Sequence, residues 1–305
     1  MKNNTLQESN INLAALLLRV GLALVFIIGG TSKLSLLLGD ATHDGMVANY
    51  MSTSGYINSI FQEYLFTGML GQFITPSGFL TTLSTFELVS GIALLAGFLV
   101  KPLSLFYAFL LWTFVIALPT MTVPGFEIEA KTYTSPAIFV QIRDIALSGF
   151  MFVLFNLGAG SKSVDGRFIA SPTQVNWDNL GLLLRLSLAS SLIVGGFFGE
   201  FGKVGTFATP QWLLAITGLV LVFGSQRVLK IAAAITMGIM LWYMVYKLNF
   251  DNSVIKNLND FKREFALFTA GAVLVLFGGG DKFTFTDFIT RAKVTCKLYL
   301  IGVKN

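Results

Sequence analysis

A chain of 305 residues that is 54% hydrophobic and 12% charged, with a mean hydropathy of +0.72, is not a soluble domain, because soluble proteins carry about 25% charged residues. Its formal charge of +5 does not point to nucleic acid; it follows from basic loops and a basic tail set between long apolar runs, the pattern of a polytopic helical membrane protein. A single cysteine, Cys296, and a single histidine, His43, exclude an internal disulfide, a Cys-x-x-Cys pair, and an iron–sulfur cluster or bis-histidine haem held by this chain alone, and they argue against zinc or di-iron.

The first apolar run begins near Asn12 and lacks a small-x-small cleavage site, so it reads as a retained helix. Eight spanning segments are predicted in all, at 12–33, 79–100, 103–121, 137–157, 179–199, 210–226, 228–248 and 261–279, the sixth and seventh near the lower length limit. Between the first two lies a long insert, 34–78, with His43, Tyr50, Tyr56, Phe61, Tyr64 and Phe66. A linker at 163–178 holds Ser171-Pro172 and Trp177, the latter expected at the membrane interface. The run Gly278-Gly279-Gly280 reads as a helix terminator and not a phosphate loop, since no strand precedes it and no Lys-Ser or Lys-Thr follows. From Ala292 to Asn305 the chain is basic and mildly apolar, and is expected on an anionic membrane face.

Lys and Arg set the orientation. Lys2, Lys101, Lys162, Arg167, Arg227, Lys230 and Lys282 fall on the side of the termini, with four more basic residues in the tail. The opposite side collects Asp40, Asp44, Glu63, Glu127, Glu129 and Glu200. Both termini are therefore expected in the cytoplasm.

The chain also echoes itself. Arg143-Asp144-Ile145-Ala146-Leu147 returns 120 positions later as Arg263-Glu264-Phe265-Ala266-Leu267, and Gly158 and Gly160 return as Gly278 and Gly280. Leu182-Leu183-Leu184-Arg185 with Gly195-Gly196 repeats Leu16-Leu17-Leu18-Arg19 with Gly29-Gly30, Gly218 repeats Gly91, and Leu241-Trp242 repeats Leu111-Trp112. Fixed offsets over long stretches mark an internal repeat. The expected architecture is all-α: eight transmembrane helices as two parallel four-helix repeats, 1–168 with the insert and 169–305 with the basic tail. The copies differ in the insert and at Glu87, which aligns with Leu214.

Ionisable groups inside a membrane span are costly and usually face a partner or water. Lys33, Glu87, Arg143 and Asp144 share one half of the first copy, and Arg19 lies near the other face. Two readings stay open. In the structural one, Glu87 pairs with Arg143 and fixes helix registry. In the functional one, the cluster and the aromatic insert form a quinone headgroup site. There Glu87, Asp144 or His43 would supply protons, and Arg143 or Lys33 would stabilise an anionic form. Tyr50, Tyr56 and Trp112 are the aromatic candidates to contact the ring, against the alternative of an interfacial belt. The paired glycines point to close helix packing.

Leu18-Arg19-Val20-Gly21 through Phe26 to Gly29-Gly30-Thr31-Ser32-Lys33-Leu34 resembles the first-helix signature of the DoxX/DoxD family. Glu87-Leu88-Val89-Ser90-Gly91 running to Gly97, and Arg143-Asp144 before Ala146-Leu147, closing with Gly158 and Gly160, resemble it too. The second copy departs from the pattern at the acidic residue of helix two, which makes it the degenerate, mainly structural half. The resemblance implies a multi-pass protein of a bacterial inner membrane, akin to DoxD-like subunits of thiosulfate:quinone oxidoreductases. It would sit in the lipid bilayer with other membrane or periplasmic subunits, and a separate DoxA type of subunit is not visible in this chain. The alternatives are a non-catalytic accessory subunit of a larger respiratory or photosynthetic-type complex and a small-solute or ion transporter. No span is clearly broken mid-membrane as many transporter spans are.

Overall fold

The computed structural model describes residues 5–119, 123–125, 136–199 and 205–290. The predicted membrane-surface segment 292–305, and Glu127, Glu129 and Glu200, lie outside the described residues. Within them the chain is all-α apart from one strand pair that the sequence reading did not predict. Strand β1 (Thr5–Gln7) runs antiparallel to β2 (Gln174–Asn176), with Leu6 opposite Val175. It ties the start of the chain to the central linker.

Helix α1 (Glu8–Leu37) is 30 residues long. The insert that follows is folded: α2 (His43–Met51), α3 (Ser59–Phe66) and α4 (Gly68–Gly71) close over a small core of Leu37, Met46, Ile57 and Leu80. Asn58 starts α3 by accepting from the Phe61 N–H. Helix α5 (Pro76–Ala96) begins with a Thr75 cap and proline in the first turn, where no N–H is missed. Next come α6 (Val100–Ala117) and α7 (Ala137–Leu157). Beyond the linker lie α8 (Trp177–Phe198), α9 (Gln211–Phe223), α10 (Gln226–Lys247), the short α11 (Val254–Asp260) and α12 (Lys262–Phe277).

A helix occupies each of the eight predicted segments, but they differ in reach. Six are long and apolar enough to cross a membrane: α1, α5, α6, α7, α8 and α10. The 13 residues of α9 and the 16 of α12 rise about 20 and 24 Å, short of a hydrocarbon core about 30 Å thick. The seventh segment, expected near the length limit, is instead a full 22-residue helix.

Helix α1 packs on α5, α12 and α7; α8 packs on α9, α7 and α12; α6 lies on α7, and α10 on α12. Small residues set these distances. A Cβ on Gly30 would lie 2.6 Å from the Leu88 backbone nitrogen, and one on Gly91 would lie 2.8 Å from that of Ile27, so α1 and α5 touch backbone to backbone. Gly196 and Gly218 do the same between α8 and α9 against Ala215 and Ile193. The interior is apolar around α1 and α7, while Val89, Ile92, Phe106 and Phe109 on α5 and α6, and Trp212, Ile216, Ile231 and Trp242 on α9 and α10, face outward. Large apolar side chains on outer faces suit lipid and would be a liability in water. Trp177 stands at the first turn of α8, is fully buried, and its Nε1 donates to the Gly278 carbonyl at 3.0 Å.

Candidate ligand cavity and its charge network

The C-terminal end of α1 meets α5, the end of α6 and the first turns of α7 and α12 around a cavity of about 740 Å³. Its walls are largely apolar, with Phe26, Phe79, Leu80, Leu111, Phe114 and Leu147 among them. The insert closes one side with Tyr50, Tyr56 and Phe61, the two tyrosine rings lying 5.0 Å apart. Charge enters the walls from α1, α5, α7 and α12. Lys33 Nζ sits 2.6 Å from Glu87 Oε1 and 2.5 Å from Oε2, so it grips both carboxylate oxygens of a side chain that is 5% exposed. Glu87 reaches the cavity because Gly29 and Gly30 leave no side chain between α1 and α5. A Cβ on Gly29 would lie 3.5 Å from Glu87 Oε2.

The expected Glu87–Arg143 pair does not form. Arg143 instead donates through Nη1 to Glu264 Oε1 at 2.7 Å, donates through Nε to the Phe139 carbonyl at 3.0 Å, and stacks 3.8 Å over the Phe139 ring. Asp144 accepts from Arg263 Nε at 2.6 Å and Nη2 at 3.2 Å. The echo Arg-Asp and Arg-Glu is thus used reciprocally: each arginine takes the other helix's carboxylate. Arg143 and Asp144 are neighbours about 100° apart on α7, which is why each looks outward to α12 for a partner and not to the other. Arg143, Asp144 and Arg263 line the cavity, with Glu264 fully buried behind them.

Of the sequence candidates, Lys33, Glu87, Arg143, Asp144, Tyr50 and Tyr56 come together around this space. His43 and Trp112 do not line it. His43 begins α2, with Nδ1 2.6 Å from the Leu37 carbonyl and Nε2 2.9 Å from Ser77 Oγ; it fastens the insert to the start of α5. Trp112 points out of α6 and is 43% exposed. Arg19, near the opposite end of α1, donates to the carbonyls of Ala159 and Lys162, at 2.7 Å each. The sequence reading did not single out Lys262, which lines the cavity from the first turn of α12. It stands one residue before the repeated Arg263-Glu264, at the very start of the predicted segment 261–279, where a basic residue at a span end draws no notice.

The second half holds no charge at the position matching Glu87. Leu214, aligned with Glu87, lies against Gly195 as Glu87 lies against Gly29. Asn259 and Thr113 line the cavity, whereas the residues at the repeat offsets from them, Phe139 and Tyr243, clasp the fully buried Phe207 with ring centres at 4.9 and 5.4 Å.

The DoxX family model matches residues 14–119, the stretch that holds nearly all of α1, the insert, α5 and α6. No curated protein and no solved structure matches the chain.

Proposed function

We propose that the DoxX region of this membrane protein binds a quinone headgroup, as the integral subunit of a quinone-linked redox complex. The cavity carries this reading. Its volume of about 740 Å³ falls in the range of small-molecule sites, about 300–1,000 Å³. Its aromatic and aliphatic walls suit a ring and the start of an isoprenoid tail. Donors for ring oxygens are at hand in Lys33 and Arg143, each braced by a carboxylate. A bound quinone would supply a carrier of two electrons and two protons. Of the chain's own groups, Glu87 is the one suited to hold a proton beside the ring, with Lys33 keeping it oriented. Arg143, held by Glu264 and the Phe139 carbonyl, fixes the far wall and presents positive charge. With one histidine and one cysteine in the sequence, electrons reach the ring from a donor on a partner subunit.

Two finer features of architecture belong to the same reading. The helices at the eight predicted segments form two four-helix repeats, in the second of which leucine stands at the position of Glu87 and Phe207 fills the space. Both termini face the cytoplasm, which puts the cavity in the outer half of the membrane. The rival reading, a non-catalytic accessory subunit, draws support from the outward apolar faces of α5, α6, α9 and α10. It leaves unexplained why a cavity should be walled with buried charge.

The test is purification from the native membrane in mild detergent, followed by extraction and quantification of quinone per chain. Near-stoichiometric quinone in the parent protein, lost in Glu87→Gln at unchanged elution volume, is the expected result. Absence of quinone from the parent, or full retention in Glu87→Gln, would sink the proposal.

A further inference from the structure

Of the cations that line the cavity without being exposed, Lys262 alone among the described residues is in no ion pair. Lys262 Nζ donates to Asn259 Oδ1 at 2.6 Å, and the three ion pairs among the described residues leave it out. Its natural partners are already taken. Glu87 is held through both oxygens by Lys33, and Asp144 through both oxygens by Arg263. Glu87 Oε2 and Lys262 Nζ flank the same gap, each 3.5 Å from where a Gly29 Cβ would stand. Lys256 and Asp260 also line the space, but both are exposed on α11 and offset one another. With Lys262 protonated, the interior carries one positive charge more than its carboxylates balance. An ammonium among apolar walls is costly unless something neutralises it.

We infer that the occupant of this cavity is an amphiphile with a negatively charged head, and that Lys262 is its counter-charge. The inference rests on the ring-binding reading above for the shape of the head and adds its charge. Apolar walls take the body of such a molecule, and Lys262 meets an ionised ring oxygen at the point where Gly29 leaves room.

The experiment uses the full chain in lipid nanodiscs, with binding measured by equilibrium dialysis and empty nanodiscs subtracted. The probes are lawsone, a naphthoquinone whose ring hydroxyl is ionised at neutral pH; menadione, a neutral naphthoquinone of similar size; and laurate, an anion without a ring. Lawsone is expected to bind about tenfold more tightly than menadione, as one added charge interaction in a partly desolvated site allows. That preference should vanish in Lys262→Met and persist in Lys262→Arg, which keeps the charge and guards against a folding artefact. Equal binding of the two naphthoquinones, or a lawsone preference that survives in Lys262→Met, would overturn the inference and leave the quinone reading standing. Lys262-dependent binding of laurate with no binding of either naphthoquinone would support the anionic head and overturn the quinone reading. Binding of none of the three would overturn both.

Discussion

At the scale of single residues, the buried arginines stand either on backbone carbonyls, as Arg19 does, or in carboxylate pairs. Arg143 and Glu264 are 3% and 0% exposed, and Glu264 Oε2 takes no hydrogen bond among the described residues. A charge in that position depends on its partner. Arg143→Ala should cost about 3–5 kcal/mol by leaving a buried carboxylate uncompensated, while Arg143→Met with Glu264→Leu should cost far less. A double-mutant cycle on reversible unfolding in mixed micelles checks this; additive losses would mean that the two side chains are not coupled. Glu87 differs from Glu264 in lining the cavity, so its conservative replacement by glutamine reads function before stability. The residue types at these positions were legible in sequence, because an ionisable group in an apolar run is costly wherever it lands. Their partners were not. Arg143 and Glu264 are separated by 121 positions, and apolar periodicity contains nothing that chooses between Glu87 and Glu264.

At the scale of elements, glycine decides where helices stop and how closely they cross. Gly158 ends α7 at φ 77°, ψ −164°, and Gly278 ends α12 at φ 75°, ψ −173°, each with its N–H donating to a carbonyl four residues back at 2.8 Å. That backbone region is open in practice to glycine alone. Gly158→Ala should therefore destabilise the protein by about 1–3 kcal/mol without touching the cavity. Thermal unfolding in nanodiscs beside a binding measurement would show a lower midpoint at unchanged affinity; an unshifted midpoint would mean that the turn relaxes freely. These glycines are what sequence reads best, since the demand is local and the same turn recurs 120 positions later. The insert was read less well. Its aromatics fit a membrane belt and a ligand wall equally, and only folding showed that Tyr50, Tyr56 and Phe61 turn inward while Tyr64 stays outside.

At the scale of the whole molecule, the long helices expose apolar side chains outward, and the ion pairs among the described residues gather at one end of the bundle, around the mouth formed by α1, α5, α7 and α12. If that end faces away from the cytoplasm, a single cysteine at Asp40 in a Cys296→Ser background should react with a membrane-impermeant thiol reagent on intact cells. One at Arg227 should react only after lysis. The reverse pattern would invert the proposed orientation. The sequence by itself determined that this is a helical membrane protein, where its long apolar helices lie and at which positions ionisable groups interrupt them. Each of these follows from local quantities: the length of an apolar run, the cost of a charge within it, and a backbone angle that only glycine adopts. Tertiary structure alone decided that six helices reach full membrane length while α9 and α12 fall short. It also decided that Arg143 turns to Glu264, that Lys33 holds Glu87, and that Lys262 stands in the cavity without a carboxylate. Those outcomes depend on which distant helices come to lie side by side, and contacts of that kind leave no trace in the spacing of residues along a single segment.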